Sequence, residues 1–145
     1  MTENFEKIMV FVFKWEGWKS NDPDDIGGRT VWGICEKYYP GDVPLMWDMT
    51  KEASKEYAKG IYRRDYWNKV DGDNLAAGTD AVVMDSAVNM GISFARKLKG
   101  YDMPTAMIER IKRYTEIAQH GNNIKFLRGW IRRVVDLYYF IKLNF

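Results

Sequence analysis

The sequence predicts a mainly α-helical protein, and three observations support this class. Apolar residues recur at helical spacing in several segments, and no segment alternates apolar and polar residues for long enough to form a sheet. One apolar run, beginning at Thr79, has the length of a buried helix. With 145 residues and 46% hydrophobic content, the chain has the size of one domain. We therefore predict a single domain over residues 1–145, with at most a small β-hairpin.

The first helix is predicted from about Thr2 to Trp15. Its apolar face consists of residues at helical spacing: Phe5, Ile8, Met9 and Val12. Gly17 stands where a C-terminal cap is expected, so Glu16 lies in the last helical turn. The next segment, SNDPDDIGG, is rich in turn-forming residues and predicts a loop of defined shape. Residues 30–34 are predicted to add a short extended stretch.

Four more helices are predicted after this loop. The first begins at Thr50, whose side chain suits an N-cap. Residues 79–91 are apolar on almost every side and predict a buried central helix, with Asp85 and Asn89 four residues apart on one side of it. The last two predicted helices are amphipathic and cover residues 104–119 and 122–143.

The net charge of +2 is unevenly distributed. Residues 96–145 carry eleven Lys or Arg against four acids, net +7, and the preceding residues are net −5. A basic half suits an anionic partner, although basic residues also solvate the outer faces of amphipathic helices. We divide the predicted domain into a part that holds the candidate site, residues 1–95, and a basic helical part, residues 96–145.

Export and redox signals are few. Cys35 is the single cysteine, so no internal disulfide is predicted, and no cysteine spacing suggests a metal site. The apolar run from Ile8 to Phe13 is too short for a signal peptide or a membrane span. We expect synthesis in the cytoplasm without a signal peptide, and no stable membrane insertion.

The candidate site is the segment KWEGWKSNDPDDIGGRT. A general acid must stay protonated near neutral pH, which helix C-termini, apolar neighbours and nearby carboxylates all favour. Glu16 stands at a predicted helix end between Trp15 and Trp18, and Asp25 follows after a turn. Carboxyl pairs of this kind perform glycoside hydrolysis, and Thr30 could hold a water between them. We therefore predict Glu16, Asp25 and Thr30 as catalytic candidates.

Five further residues are candidates for substrate contact. Aromatic rings stack on sugar faces, but they also fill helical cores, and both roles stay open for Trp15, Trp18 and Trp32. Asp85 and Asn89 lie on an apolar helix and must be satisfied there, so a structural hydrogen-bond network is the alternative to substrate contact.

Other chemistries fit the sequence less well. His120 is the single histidine and lies in a helix-ending segment, which is a poor context for a Ser/His/Asp triad. Cys35 is more typical of a small buried thiol than of a nucleophile. The DPDDIG loop departs from the calcium-loop pattern, because Ile26 takes a ligand position and Gly33 replaces the closing glutamate. No metal and no organic cofactor are predicted.

The motifs resemble those of glycoside hydrolase family 108, the N-acetylmuramidases often found as phage or prophage lysins. The first resembling motif comprises Glu16-Gly17, Asn21-Asp22-Pro23, Asp25, Gly27-Gly28, Thr30 and Gly33-Ile34. IYRRDYW and MDSAVNMG resemble the next two motifs, and NNIKFLRGWIRRV resembles the end of the family's peptidoglycan-binding segment. The matches follow the family's order and span most of the chain.

The resemblance implies a lysozyme-like helical fold that cleaves the glycan strands of peptidoglycan, with Glu16 as the acid. Asp25 and Thr30 would then place or activate water, by analogy with phage-type lysozymes. Two departures stand out: Trp18 and Lys19 replace the usual glycine and tyrosine, and Cys35 stands where threonine is common. The connection before the last two helices also looks shortened, which implies a reduced wall-binding part.

The leading interpretation is a peptidoglycan hydrolase, an N-acetylmuramidase of the endolysin type from a phage or prophage. A lytic transglycosylase is a variant of it. We expect a monomer that acts at the cell wall or in the periplasm, released through a holin-type partner. The alternative is an inactive lysozyme-like protein that binds the wall or assists secretion, since some relatives are called secretion activators. A nucleic-acid-binding protein is disfavoured, because the basic residues are spread over several helix faces.

Overall fold

The computed structural model describes residues 2–145 and confirms a mainly α-helical fold. Within this range there are seven α-helices and one small antiparallel sheet. The helices are α1 (Thr2–Glu16), α2 (Asp42–Asp48), α3 (Lys51–Tyr62), α4 (Thr79–Met90), α5 (Ile92–Leu98), α6 (Met103–Ala118) and α7 (Ile124–Asn144). The strands are β1 (Lys19–Ser20), β2 (Thr30–Val31) and β3 (Ile34–Cys35). The sheet has one strand more than the predicted hairpin.

The chain divides into two compact units. One is Met9–Asp65, and the other is Tyr66–Phe145 together with the chain before Met9. This division does not follow the predicted boundary at residue 95, and the assignment of one domain with two functional parts stays a prediction.

The unit Met9–Asp65 contains the sheet, α2, α3 and the last turns of α1. The strand order is β1-β2-β3, with Ser20 opposite Thr30 and Thr30 opposite Cys35. The predicted N-cap is confirmed: the Thr50 hydroxyl accepts a hydrogen bond from the Ala53 amide at 3.2 Å. Helix α3 continues into one wider, π-helical turn over Arg63–Trp67. The buried aromatic and aliphatic side chains of this unit include Phe11, Phe13, Val31, Trp32, Ile34, Val43, Met46, Ile61 and Tyr62.

The second unit is built around α4, which confirms the predicted buried central helix. Every residue from Thr79 to Ala87 is buried, and Gly91 ends the helix with φ = 93°. Helices α6 and α7 were predicted from their amphipathic pattern and lie within a few residues of the expected bounds. No helix among residues 2–145 combines the length and the apolar character that crossing a bilayer requires.

Two short helices were missed by the sequence prediction, α2 and α5. Each has seven residues, which is two turns and too few to show a helical period. Each also follows a glycine, Gly41 or Gly91, that makes no side-chain cap, so the usual N-terminal signal is absent from both.

Candidate active site

Glu16 lies in the last turn of α1, as predicted, and is the final residue of the helix. Gly17 follows with φ = 72°, and its amide donates to the Phe13 carbonyl at 3.0 Å, which is the left-handed glycine ending of a helix. The Glu16 side chain is half-buried. The carboxyl group is therefore held at a helix C-terminus without being sealed from solvent.

The turn between β2 and β3 lies against Glu16. Trp32 and Gly33 form the two central residues of this hairpin and both have positive φ, 52° and 83°. A Cβ added to Gly33 would lie 2.7 Å from Glu16 Cγ and 2.5 Å from Tyr62 Oη. Gly33 thus serves two needs, the left-handed backbone and the close approach of the Glu16 side chain.

Trp32 occupies a backbone conformation that is unusual for a bulky residue, and three hydrogen bonds hold it there. Its amide donates to the Trp18 carbonyl at 2.6 Å, and its own carbonyl accepts from Tyr62 Oη at 2.8 Å. Its indole Nε1 donates to Ser54 Oγ at 3.0 Å. The ring is buried and packs edge-on against Phe13. These contacts fix Trp32 within the turn and give it a positioning role there.

Ser54 joins Trp18 and Trp32, two of the predicted candidates for substrate contact. Its Oγ accepts from Trp18 Nε1 at 3.2 Å as well as from Trp32, and donates to the Lys51 carbonyl at 3.0 Å. The hydroxyl therefore makes three hydrogen bonds, which is its full capacity. Trp18 is 37% exposed, so it offers an accessible indole surface, and the hydrogen bond to Ser54 fixes the orientation of the ring.

Basic side chains surround these indoles. The Nζ atoms of Lys19 and Lys51 lie 4.7 and 5.7 Å from the Trp18 ring centroid, and Lys55 Nζ lies 5.6 Å from that of Trp32. Contacts of this kind are attractive because the face of an indole is electronegative. The result is an aromatic and cationic surface on an otherwise acidic half of the sequence.

The acidic loop is organised by its own side chains. Asp22 Oδ1 accepts from the Asp24 amide at 2.9 Å, and Asp25 Oδ1 accepts from the Gly27 amide at 2.8 Å. These are Asx turns, which shape the backbone locally. Asp25 is exposed, so its catalytic assignment stays a prediction.

The end of the loop is fastened to the sheet. Arg29 and Glu36 form a salt bridge, in which Arg29 Nη2 lies 2.8 Å from Glu36 Oε1. The hydrogen bonds that Arg29 donates lower the pKa of the Glu36 carboxyl. Thr30 lies half-buried on β2, and Cys35 Sγ donates to the Gly27 carbonyl at 3.0 Å. Trp15, also half-buried, lies beside Phe11 on α1.

Asp85 belongs to the other unit and is engaged in ion pairs. It is fully buried, with Arg110 Nη2 at 2.6 Å from Oδ2 and Arg133 Nη2 at 2.7 Å from Oδ1. Burial by itself raises the pKa of the Asp85 carboxyl, but the two guanidinium charges and their hydrogen bonds outweigh it, and the pKa lies below its ordinary value. This geometry supports the structural alternative for Asp85.

Asn89 lies one helical turn after Asp85 and is half-buried. Its side-chain amide donates to the Tyr114 hydroxyl, which also accepts from Arg110 Nη2 at 3.2 Å. Asp85, Arg110, Tyr114 and Asn89 therefore form one network that joins α4 to α6. Among the described residues, no cluster of three or more His, Cys, Asp or Glu could hold a metal ion.

A family model described as glycosyl hydrolase 108 matches residues 9–91, more than half of the chain. The chain belongs to glycosyl hydrolase family 108. The matched region contains Glu16, the acidic loop, the β2–β3 turn and α4. For this member of the family, membership supports a lysozyme-like peptidoglycan hydrolase and confirms the resemblance found in the sequence.

The structure of Brucella abortus SagA is similar to this family 108 chain along nearly its whole length. The TM-score is 0.73 at 25% sequence identity, over 99% of this chain and 96% of that chain. A comparison with the curated proteins finds no match. The similarity extends beyond the matched family region to α6 and α7.

Sequence reasoning missed several residues that shape the site. Ser54 and Tyr62 give no signal of their own, because their partners lie 22 to 36 residues away. Arg110 and Arg133 did carry a signal. Each stands at an apolar position of its amphipathic helix, where a charged residue needs a buried partner such as Asp85.

Proposed function

We propose that this chain is an N-acetylmuramidase that cleaves the bond between N-acetylmuramic acid and N-acetylglucosamine in peptidoglycan, with Glu16 as general acid. The observation that carries the proposal is the placement of Glu16, at the end of α1 and against the Trp32-Gly33 turn. A general acid must be held in one orientation relative to the glycosidic oxygen, and the close turn restricts where the side chain can go.

In the proposed reaction, Glu16 gives its proton to the glycosidic oxygen as the bond to the anomeric carbon of the muramic acid breaks. The positive charge that develops on this sugar is stabilised by Asp25 or by a water bound near Thr30. Attack by water on the anomeric carbon then completes hydrolysis, and attack by the sugar's own 6-hydroxyl would give the anhydro product of a transglycosylase; in either case the attacking oxygen loses its proton to a carboxylate, that of Glu16 or of Asp25. The products of cleavage therefore distinguish these routes.

The surface around Trp18 supports an anionic glycan as substrate. Peptidoglycan combines sugar faces, which bind aromatic rings, with carboxylates on its stem peptides. Trp18 offers an exposed indole, and the ammonium groups of Lys19 and Lys51 lie beside it. We propose Trp18 as a substrate contact and Trp32, which shares the Ser54 hydroxyl with it, as its supporting neighbour; substrate contact by Trp15 stays a prediction.

A second candidate is a protein that keeps the lysozyme-like shape but binds peptidoglycan without cleaving it. The specific observation in its favour is Asp25, whose Oδ1 bonds to the backbone of its own loop. A carboxylate used in a turn is a weaker candidate for charge stabilisation than a free one.

The deciding experiment incubates purified protein and its Glu16→Gln variant with purified peptidoglycan, followed by mass spectrometry of the released fragments. Reducing muramic acid ends from the native protein, lost in a variant with unchanged melting temperature, would establish a muramidase with Glu16 as its acid. Anhydro ends would identify a transglycosylase. No release across pH and wall types, with retention in a wall pull-down, would favour the binding protein.

The place of action follows from the proposed substrate. A peptidoglycan hydrolase acts at the cell wall or in the periplasm, and we propose a phage or prophage lysin that reaches it through a holin-type pore. A monomer suffices, because the proposed catalytic residues all lie within Met9–Asp65. The molar mass of the purified protein in solution, measured by light scattering, tests whether it is a monomer.

A further inference from the structure

One face of α7 combines large apolar and basic residues in solvent. We name it the α7 outer face; its members are Ile124, Lys125, Arg128, Arg132, Val135, Tyr138, Tyr139, Lys142 and Leu143, and all of them are exposed. Their spacing of three and four residues places them along one side of the helix. The set contains four bases and no acid. Asp136 is half-buried at its margin.

The apolar members are unusually open to water. Leu143 is 83% exposed and Tyr139 62%. Beside them, a groove of about 370 Å³ runs between α6 and α7, with Ile108 on its far side, also 62% exposed. Large exposed apolar patches mark surfaces that bind something. The opposite side of α7 is occupied, since Val134, Leu137 and Ile141 are buried.

The charge of this face restricts what can cover it. A second copy of the chain, packed face to face, would bring four positive charges against four more, with the half-buried Asp136 at the margin of each face to offset them in part. A polysaccharide or nucleic acid would pair with the bases but would leave Ile124, Val135 and Leu143 without a role. An anionic phospholipid bilayer provides both chemistries, headgroup charge for the bases and an acyl boundary for the apolar side chains.

We propose that the α7 outer face docks on the surface of an anionic phospholipid bilayer. The helix lies parallel to the membrane plane, with Val135, Tyr139 and Leu143 at the acyl boundary and the Lys and Arg side chains reaching the headgroups. The buried side of α7, which includes Arg133 in its pair with Asp85, stays in the folded unit. The association is peripheral and reversible, and it requires no spanning helix.

The test is co-sedimentation of the full-length protein with vesicles of phosphatidylcholine, with and without phosphatidylglycerol. Binding is expected only with phosphatidylglycerol and should weaken as salt is raised. The Arg132→Glu/Lys142→Glu variant should bind at least about tenfold more weakly, since each base near an anionic surface contributes about fivefold. Val135→Ser/Leu143→Ser should also lose binding, although its charge is unchanged.

A matched control is Lys37→Glu/Lys69→Glu, which changes the net charge equally at two exposed lysines outside α7. It should bind as the native protein does. Equal binding to both vesicle types, or no binding to either, would overturn the proposal. So would full binding by Val135→Ser/Leu143→Ser, because that outcome means a purely electrostatic surface. Dimerisation abolished by the same variant, without vesicle binding, would assign the face to a second copy instead.

The vesicle experiment is independent of the proposed reaction. It contains no peptidoglycan, and the Glu16→Gln variant should bind vesicles as the native protein does. A failure of membrane docking therefore leaves the muramidase proposal untouched, and the reverse also holds.

Discussion

At the scale of single residues, the candidate site depends on two small residues, Ser54 and Gly33. Ser54 orients Trp18 and Trp32 through its hydroxyl. Gly33 allows Glu16 and Tyr62 to approach the hairpin turn. Neither residue offers a group to a substrate, because Gly33 has no side chain and the Ser54 hydroxyl is buried with its three hydrogen bonds already made. The contribution of each residue is therefore tested best by comparing its substitution with the same substitution at a control position, where the contacts are absent.

Replacing Ser54 with Ala should lower the stability by about 1–3 kcal/mol, because the buried Trp32 Nε1 loses its acceptor. The measurement is the urea midpoint of unfolding. Ser86→Ala is the matched control: its hydroxyl is also buried but has no hydrogen-bond partner within residues 2–145. That variant should be as stable as the native protein or more so. Equal losses in both variants would argue against the role of Ser54.

Replacing Gly33 with Ala should reduce both stability and peptidoglycan cleavage. The added Cβ would meet Tyr62 Oη at 2.5 Å and Glu16 Cγ at 2.7 Å, and the left-handed backbone adds roughly 1 kcal/mol. Gly17→Ala carries the same backbone strain at φ = 72° but meets no atom within 4 Å. A comparable drop in fragment release from both variants would show that backbone strain alone explains the effect.

At the scale of elements, α4 is held to α6 and α7 by the buried ion pairs of Asp85. Removing one partner of such a group leaves buried charge without compensation, which typically costs about 3–5 kcal/mol. Helix packing in the second unit thus depends on an electrostatic contact as well as on apolar burial. The two arginines come from two different helices, so one carboxylate fixes both.

The ion pairs of Asp85 predict that the free energy of unfolding falls at low pH. We call this loss the acid limb. Because the pKa of this carboxyl is lower in the folded chain than in the unfolded chain, the folded state binds fewer protons. The stabilisation is complete above the unfolded value of about 3.9 and is lost as pH falls through the lower folded value. Urea midpoints between about pH 2 and 7 should show this loss in the native protein but less of it in Asp85→Asn.

Asp102 provides the control for that experiment. Its pKa is also lowered, by the hydrogen bonding of Thr105 to its side chain, but it is an exposed N-cap. Asp102→Asn retains a capping side chain, and because this carboxyl is exposed it should remove much less of the acid limb than Asp85→Asn does. If Asp85→Asn kept it too, the acid limb would have to arise from other carboxyls.

How far the sequence predicts these elements depends on the range over which each signal acts. Helical periodicity identified α1, α6 and α7, because each has at least three turns in which an apolar face repeats, and an apolar run of helical length identified α4. The positions of Glu16 and Gly17 at the end of α1 were also predicted, because the residues that signal a helix end are close together in the sequence. The contact between Ser54 and Trp18 is not local, and no periodicity connects residues 36 positions apart.

At the scale of the whole molecule, the chain has two compact units with different stabilising contacts. Met9–Asp65 relies on an aromatic cluster with the Ser54 hydrogen bonds, and the other unit on buried ion pairs around α4. The sequence alone suggested one division, by charge at residue 95. Contacts between residues distant in sequence produce the other, which is why composition could not reveal it.

Each substitution should therefore destabilise mainly the unit that contains it. Native-state hydrogen exchange of Ser54→Ala is expected to accelerate amides in Met9–Asp65 more than those in Tyr66–Phe145, and Asp85→Asn should do the reverse. The native protein measured at the same pH and temperature is the reference. Equal acceleration across the chain in both variants would mean that it unfolds as one cooperative body.

The shared acceptor of Trp18 and Trp32 also provides a spectroscopic probe. The Trp18 indole is exposed to solvent and lies beside ammonium groups, while the Trp32 indole is buried. Both nevertheless donate a hydrogen bond to the Ser54 hydroxyl. A glycan that covers Trp18 should shift its emission to shorter wavelength without disturbing the enclosed ring. Ligand binding could then be titrated by intrinsic fluorescence, with no label attached to either the protein or the sugar.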